Sequence, residues 1–264
     1  MTHSTSSALS DHYLNLPGAR LVATSATRLT LRHLKFALAA RAMMCVHGGV
    51  GLGKTVAVRT NLRDLAPDAT VHLQLRPQAP LGELHTILVQ KLGLPPDADP
   101  TTALPQALAT QPRILFLDEA QGLTNQALEY VRYLWDAEST QLAVVFVGGE
   151  NCHRRLRSRA ALASRIGAWQ QYRPLTPDEV LTHMPTYHAV WKDVSTTDLL
   201  WLDDVCCHGN FRHWAKVTYH LHHALQDDQL TDKTVTRDLL WEILQDVDST
   251  VRPEHRHGAG TDRQ

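Results

Sequence analysis

One eight-residue stretch, Gly48–Thr55, constrains this chain more than any other feature of its sequence. Its letters, GGVGLGKT, fit the phosphate-binding loop pattern G-x-x-x-x-G-K-[ST]. The apolar run 42–47 before it predicts a buried strand, and residues 55–62 after it predict a helix. Glycine-rich backbone and the positive end of a helix suit a phosphate chain. We therefore predict a nucleoside triphosphate site formed by all eight loop residues, Gly48, Gly49, Val50, Gly51, Leu52, Gly53, Lys54 and Thr55.

A second motif supplies the carboxylates that nucleotide hydrolysis needs. Residues 114–117 form a run of four apolar residues that is followed by Asp118 and Glu119. This order predicts a buried parallel strand with two acids at its carboxyl end. In such a site Lys54 would reach the β- and γ-phosphates, and Thr55 and Asp118 would hold Mg²⁺. Glu119 would orient and deprotonate the attacking water, so the two motifs together predict an ATPase that uses ATP and Mg²⁺.

The rest of the chain changes character near residue 176. Before that point strands and helices alternate, which predicts an α/β P-loop fold with a parallel sheet in three layers. The further predicted strands are 70–75, 142–147 and 168–175, and the further predicted helices are 27–41, 81–92, 101–110 and 125–140. After it only helices are predicted, at 177–191, 197–207, 210–226 and 237–247.

The predicted start of the first of these later helices is sharp. Thr176 is a capping residue, Pro177 stands in the first turn and Glu179 at the third position. Four tryptophans of this region would fill a small separate core. We expect an N-terminal tail and basic lead-in helix (1–41), an ATPase core (42–175), a helical lid (176–250) and a disordered tail (251–264).

Composition narrows the class of protein. With 43% hydrophobic and 20% charged residues in 264, the chain is typical of globular proteins. No apolar run approaches the roughly 18 residues that a membrane span requires, and the first residues do not resemble a signal peptide. The four cysteines have neither zinc nor disulfide spacing, and the 16 histidines offer no fixed tetrahedral ligand pattern. We expect a cytoplasmic protein with no membrane partner.

Charge is distributed unevenly, although the net charge of −1 predicts no nucleic-acid partner by itself. Two stretches, between Asp11 and Asp64 and from Asn151 to Pro177, contain basic residues and no acidic ones. From Thr176 to Thr250, 13 acidic residues stand against 5 basic ones. This asymmetry indicates that the core, and not the lid, meets a polyanion. Solvated helix faces would give the same counts, so this alternative stays open.

The strand predicted at 142–147 ends in a polar turn. The turn would place a polar side chain beside the γ-phosphate, where it could sense hydrolysis. We expect Asn151 to take this role, with Glu150 as the alternative. A plain turn filled with Gly and Asn fits the same letters.

With these features in place, the chain resembles the AAA+ ATPases over about residues 21–245. More narrowly, it is similar to the transposition-regulator branch that includes MuB and TnsC-type proteins, and to the related ExeA group of secretion ATPases. The resemblance is carried by the phosphate loop, by LFLDEAQ at 115–121, by the lead-in LVAT at 21–24 with Arg28, and by GNFR at 209–212.

The resemblance implies roles for several arginines. It makes Arg212 the sensor-2 arginine, which reaches the nucleotide from the lid. It also implies an arginine finger that one subunit gives to the γ-phosphate held by its neighbour. Arg165, in the pair Ser164-Arg165, matches that position best, and Arg159 is the alternative.

The function implied is an ATP-dependent DNA-binding regulator of DNA transposition, which assembles on target DNA and recruits a transposase. The expected partners are double-stranded DNA with low sequence preference, a transposase, and further copies of the chain. A site that a neighbour completes repeats from copy to copy, so the homo-oligomer would be a ring or a filament. Two alternatives remain, a nucleotide-dependent signalling or defence switch and an ExeA-like secretion ATPase.

Overall fold

The computed structural model of the protein describes residues 13–226 and 234–251. The strands are β1 (Met43–Gly48), β2 (Thr70–Gln74), β3 (Arg113–Asp118), β4 (Leu142–Gly148) and β5 (Ile166–Tyr172). The helices are α1 (Ser25–Ala40), α2 (Lys54–Leu65), α3 (Leu81–Lys91), α4 (Pro100–Thr110), α5 (Asn125–Asp136), α6 (Cys152–Arg157), α7 (Ala160–Ala163), α8 (Pro177–Tyr187), α9 (Thr196–Leu202), α10 (Phe211–Ala224) and α11 (Arg237–Val247). Short 3₁₀ turns lie at Tyr13–Asn15, Ala120–Gly122 and Ala189–Trp191, and a π-turn lies at Asp203–Cys207.

Two compact units can be distinguished. The unit that we call the core unit comprises Ser25–Val50 and Lys54–Arg173. The unit that we call the lid unit contains, of the described residues, 13–24, 51–53, and the chain from Pro174 onward. The tip of the phosphate loop, Gly51–Gly53, therefore belongs with the lid unit, although the loop begins and ends in the core unit.

A five-stranded parallel sheet organises the core unit, in the order β2-β3-β4-β1-β5. The continuous apolar runs of β1 and β4 are buried along their whole length, as expected for strands covered on both faces. Because all strands are parallel, their carboxyl ends meet at one edge of the sheet. The phosphate loop after β1, the acids after β3 and the turn after β4 are thereby brought to that edge. The predicted α/β P-loop fold is confirmed.

Strand β5 illustrates how the sheet ends. Its residues alternate between buried and exposed, with Gln170 among the buried ones. That polar side chain is satisfied, because its amide donates to the Ala26 carbonyl at 2.9 Å and accepts from the Thr30 hydroxyl at 3.2 Å. The strand runs from residue 166 to 172 and not, as predicted, from 168 to 175.

The lid unit has an aromatic core. Trp191 and Trp214 are fully buried and meet edge to face, with ring centroids 5.3 Å apart. Their indole N–H groups donate to the Thr218 hydroxyl at 2.9 Å and to an Asp203 carboxylate oxygen at 3.0 Å. Burial of two large indoles without an unsatisfied donor stabilises a unit that is too small for a sheet core.

Helix ends follow local chemistry. The predicted capping box at the start of α8 is present, since Thr176 and Glu179 exchange side-chain and backbone hydrogen bonds at 3.2 and 3.3 Å. Helix α8 stops at Tyr187 and not at 191, because the His188 backbone is extended and a separate 3₁₀ turn follows. Helix α5 stops at Asp136 and not at 140, because the Ala137 backbone is extended, and the Thr140 hydroxyl donates to the Leu134 carbonyl at 2.8 Å.

Some predicted features lie outside the described residues, namely most of the N-terminal tail and of the tail 251–264. In the described part of the chain no helix is both long and apolar enough to cross a membrane.

Candidate nucleotide site

The phosphate loop begins at a glycine that no other residue could replace without a shift of the backbone. Gly48 closes β1 with a φ of 148°, in the region that favours glycine. A Cβ there would lie 2.4 Å from the Tyr172 carbonyl oxygen of β5. The close packing of β1 against β5 thus fixes the point at which the chain turns into the loop.

Lys54 lies inside the loop that it closes. It opens α2 and is buried, and its Nζ donates to the carbonyl oxygens of Gly48 at 3.0 Å and Gly49 at 2.6 Å. An ammonium has three rotatable donors, so it can turn toward phosphate oxygens from this position. The predicted phosphate-binding lysine is therefore held where the loop curves around it.

Thr55 and Asp118 are brought together as predicted for a Mg²⁺ pair. The Thr55 hydroxyl donates to Asp118 Oδ1 at 3.1 Å, and the Glu119 backbone N–H donates to the same oxygen at 3.0 Å. Burial raises the pKa of Asp118, while these two hydrogen bonds act in the opposite direction. A hydroxyl beside a buried carboxylate is the oxygen-donor chemistry that Mg²⁺ prefers, so the residues fit the metal. Bound there, Mg²⁺ would neutralise charge on the β- and γ-phosphates.

Glu119 stands just past the end of β3 in an unusual backbone conformation. Its φ of 51° and ψ of 40° are left-handed, which costs a glutamate about 1 kcal/mol or more. The side chain is exposed and accepts a hydrogen bond from Gln121 Nε2. Both residues line a cavity of 480 Å³ that Gln74 and Arg76 also line. A water molecule beside the predicted general base has room in this cavity.

Gln121 is a residue that sequence reasoning missed. It was expected only as the last letter of a motif, yet its amide touches both Glu119 and the backbone of Gly149 after β4. The only sequence signal for it was its place two residues after the predicted base.

The expected sensor residue lies at the start of α6. Asn151 is exposed, and its carbonyl oxygen accepts from the Arg155 N–H at 3.0 Å. Glu150 is also exposed, and its carbonyl lies 2.9 Å from His153 Nδ1. Both follow Gly148 at the carboxyl end of β4, but neither side chain is joined to Lys54, Thr55 or the acids of β3 by a described hydrogen bond. The sensor role of Asn151 stays a prediction.

Both candidate arginine fingers belong to one ion network of the core unit. Arg165 donates to Asp136 and to the Ala161 carbonyl, whereas Arg159 lies 3.6 Å from Glu129. Arg132 joins the network by binding Glu129 at 2.9 Å and Asp136 at 2.6 Å. The finger role of either arginine stays a prediction, and taking it up would require an arginine to exchange its present carboxylate.

Within the lid unit, the GNFR motif contacts the tip of the phosphate loop. The Arg212 N–H donates to the Gly51 carbonyl at 3.1 Å and to the Asn210 side-chain oxygen at 2.9 Å. A Cβ on Gly51, whose φ is 81°, would lie 2.3 Å from that Asn210 oxygen and 2.8 Å from Arg212 Cβ. The motif predicted to carry sensor 2 therefore packs on loop glycine 51. The contact of the Arg212 guanidinium with the nucleotide stays a prediction.

His47, the residue before Gly48, was not expected to matter. It is 8% exposed, and its ring stacks on His153 with centroids 4.4 Å apart. Burial, helped by the nearby positive groups His153, Arg157 and Lys54, lowers the pKa of His47 to about 4. The histidine beside the phosphate loop is therefore neutral near pH 7.

Comparisons with known proteins agree with this site. Residues 38–156 match the family described as AAA domain, a span that contains the phosphate loop and the acids Asp118 and Glu119. No curated protein matches the chain.

Three solved structures illustrate the similarity of fold. Cdc6p from Pyrobaculum aerophilum is 16% identical, with a TM-score of 0.70 over 88% of this chain and 69% of that one. The Aeropyrum pernix ORC2 protein, in its ADPNP-ADP complexes, is 14% identical, with a TM-score of 0.66 over 92% and 72%. Drosophila ORC bound to DNA is 15% identical, with a TM-score of 0.61 over 86% and 68%.

The match of residues 38–156 to the AAA domain supports the AAA+ part of the sequence resemblance over that span, and the solved structures confirm the fold. They do not single out the MuB and TnsC branch, which stays a prediction. With its AAA domain and the site described above, the chain is an ATPase, as predicted.

Proposed function

We propose that this ATPase is an ATP-dependent DNA-binding regulator of DNA transposition. In this account it assembles on double-stranded DNA when it holds Mg²⁺ and ATP, and the assembly recruits a transposase. ATP hydrolysis then releases the DNA. The observation that carries the DNA-binding part is a basic stripe on α1.

The basic stripe consists of Arg28, Arg32 and Lys35, which are all exposed. Their spacing of four and three residues places them on one face of the helix. The buried residues of α1, Thr30, Leu34 and Ala37, have the same spacing but start two positions later. Two positions correspond to about 200° around a helix, so the stripe points away from the packed face. The stripe can therefore meet a polyanion without disturbing the core unit.

The second acid-free stretch adds to the positive surface of the core unit. Arg154, Arg157 and Arg173 are exposed there. The Arg157 guanidinium lies 4.3 Å above the Trp169 ring, which fixes its position without neutralising its charge. The lid unit, in contrast, carries the acidic stretch described above, so we place the DNA on the core unit.

Contacts of this kind go to phosphates and not to base edges. Binding should therefore show little sequence preference and fall steeply with added salt, because counterions are released. One subunit offers only a few cations, so a single subunit binds weakly and assembly of several supplies the affinity. The similar fold of Drosophila ORC, solved bound to DNA, supports this choice of ligand. The resemblance of residues 115–121 and 209–212 to transposition regulators supports the choice of process.

The DNA surface is tested by fluorescence anisotropy on two unrelated duplexes, with Mg²⁺-ATP, at two salt concentrations. The double variant Arg32→Glu, Lys35→Glu should bind about tenfold or more weakly than the unmodified chain, with a smaller salt dependence. The matched control is Lys192→Glu, which reverses one exposed charge of the lid unit and should change little. If the control weakened binding as much as the α1 variant, or if neither variant had an effect, the proposed surface would be wrong.

The transposase part of the proposal is tested with an integrase-like transposase, if one is encoded beside this gene. We expect that protein to join the assembly on DNA in the presence of ATP, and not to join the Lys54→Ala variant. A chain that binds no DNA at low salt with ATP would instead favour the signalling-switch alternative.

A further inference from the structure

The side chain of Gln121 links Glu119 with Gly149, two parts of the candidate site that lie 30 positions apart in sequence. Its Oε1 accepts from the Gly149 backbone N–H at 2.9 Å, and its Nε2 donates to Glu119 Oε2. Gly149 follows the last residue of β4, and Glu119 follows the last residue of β3. Neighbouring strands of the sheet are thus joined at their carboxyl ends by one amide.

The orientation of this amide follows from its partners. A backbone N–H can only donate, so the atom that faces Gly149 must be the oxygen. The NH₂ group is then the part that faces the carboxylate of Glu119, where a donor is required. Both halves of the amide are therefore matched to their neighbours, and a reversed amide would break both bonds.

The side chain of Gln121 is closely packed against the end of β4. A Cβ on Gly148 would lie 2.3 Å from Gln121 Oε1 and 2.7 Å from Cys152 Cβ, so both side chains closely approach the glycine at the end of β4. The 3₁₀ turn that carries Gln121 is closed by the Gly122 N–H, which donates to the Glu119 carbonyl at 2.7 Å. The backbone N–H of Gly122 and the side chain of Gln121 thus both bind Glu119, whose backbone is left-handed.

We propose that Gln121 is a positioning residue, which holds the carboxylate of Glu119 in place for water activation and couples it to the turn after β4. The proposal rests on the proposed role of Glu119 as general base. A glutamate side chain has three rotatable bonds, and an anchored oxygen removes most of that freedom. Keeping a base within reach of its water is a large part of what a phosphoryl-transfer site does. Because the anchor also holds Gly149, a shift of the turn at Glu150 and Asn151 is passed to the base.

Two substitutions separate the halves of the amide. Gln121→Glu has the same shape and still accepts from Gly149, but it cannot donate and it repels Glu119. Gln121→Leu loses both bonds. If Gln121 only supported the β4 turn, Gln121→Glu would keep its activity and Gln121→Leu would lose it. If Gln121 positions the base, both variants lose ATPase activity.

The experiment measures kcat and KM for Mg²⁺-ATP with the full chain, together with thermal unfolding and binding of a fluorescent ATP analogue. We expect Gln121→Glu to lower kcat about 10- to 100-fold while KM and analogue affinity change by about threefold or less. The matched control is Gln126→Glu, an exposed position on α5 with the same change of charge, which should leave kcat unchanged. A Gln121→Glu variant with the kcat of the control would overturn the proposal.

A double-mutant cycle identifies the path of the effect. In the Glu119→Gln background the base is already lost, so adding Gln121→Leu should lower kcat no further. Additive losses would show that Gln121 acts elsewhere. The same series of variants distinguishes the positioning role of Gln121 from the role of Glu119 as general base. Full turnover by Glu119→Gln would refute the base itself, whereas a dead Glu119→Gln beside an active Gln121→Glu would refute only the positioning role.

Discussion

The core unit and the lid unit are stabilised by different chemistry and carry charge of opposite sign. The core unit buries aliphatic strands of a parallel sheet, and Lys54, Thr55, Asp118 and Glu119 lie at or after the carboxyl ends of two of those strands. The lid unit packs helices around tryptophans and has an excess of acidic residues. Within the lid unit, residues 210–212 pack on the loop tip Gly51–Gly53.

This difference teaches how the work of the protein is divided. The phosphate loop itself is shared, since Gly51–Gly53 group with the lid unit while Lys54 and Thr55 remain in the core unit. Changes to the core unit should alter chemistry and DNA binding. Changes to the lid motif should alter how the loop holds its nucleotide. Each prediction below tests one side of that division.

The largest effect is expected at the lysine of the core unit. Lys54→Ala removes the main countercharge to the β- and γ-phosphates, so ATP affinity should fall about 100-fold or more. Titration with a fluorescent ATP analogue measures this loss. The control, Lys91→Ala, removes an exposed charge at the end of α3 and should bind normally. Unchanged affinity in Lys54→Ala would refute the loop as the nucleotide site.

A large effect on turnover, without loss of nucleotide binding, is expected for the arginine finger. Arg165→Ala should lower kcat about 100-fold or more if Arg165 serves a neighbouring subunit. The substitution should lower the free energy of unfolding by less than about 1 kcal/mol, because the ion pair of Arg165 with Asp136 is partly exposed. Asp136 would still be paired with Arg132. Arg159→Ala, measured in parallel by the same ATPase assay, decides between the two arginines. Light scattering with and without ATP should show assembly, and a strict monomer in both states would contradict a shared site.

A smaller effect is expected where the lid motif meets the loop. Gly51→Ala puts a Cβ against Asn210 and Arg212 at a residue with positive φ. The substitution should lower the free energy of unfolding by about 1–3 kcal/mol and weaken ATP binding about tenfold. Thermal unfolding and nucleotide titration measure both losses. In contrast, Gly82→Ala, in α3 with open space around it, should be neutral or stabilising by up to about 1 kcal/mol. Equal behaviour of the two variants would mean that the motif does not constrain the loop.

The smallest effect concerns pH. The folded pKa of His47 is about 4 against an ordinary 6.5, so between these values the unfolded chain binds a proton that the folded chain does not. The stability that the neutral ring provides is complete above pH 6.5 and is lost as the pH falls toward 4. His47→Gln should reduce this acid loss by about 1–2 kcal/mol, after allowance for solvent screening. Denaturant unfolding at pH 7 and pH 5 measures it, with the exposed lid residue His223→Gln as the control.

Features that depend on local sequence could be predicted well. The apolar runs of β1, β3 and β4 are each followed by their functional residues, because the order of residues along one strand decides what stands at its end. The capping box of Thr176 and Glu179 was predictable for the same reason, since its partners are three residues apart.

Features that depend on strand register or on contacts between distant segments could not be predicted. The link from Gln121 to Glu119 and Gly149 exists only because β3 and β4 are neighbours with a particular register. Gly51 and Asn210 meet across 159 positions of sequence. The polar residue Gln170 can be buried in β5 because its side chain bonds Thr30 and Ala26, which lie more than 100 residues earlier in the chain. The ion network around Arg165 was hidden for the same reason.

The central claim is that ATP held by the core unit controls binding of DNA. Its most direct test uses Glu119→Gln, which should hold ATP without rapid turnover. The measurement is the anisotropy of a labelled duplex titrated with this variant in Mg²⁺-ATP and in Mg²⁺-ADP at one low salt concentration. We expect binding at least about tenfold tighter with ATP, because assembly multiplies weak phosphate contacts. Equal affinity in the two nucleotides, or no binding in either, would contradict the account.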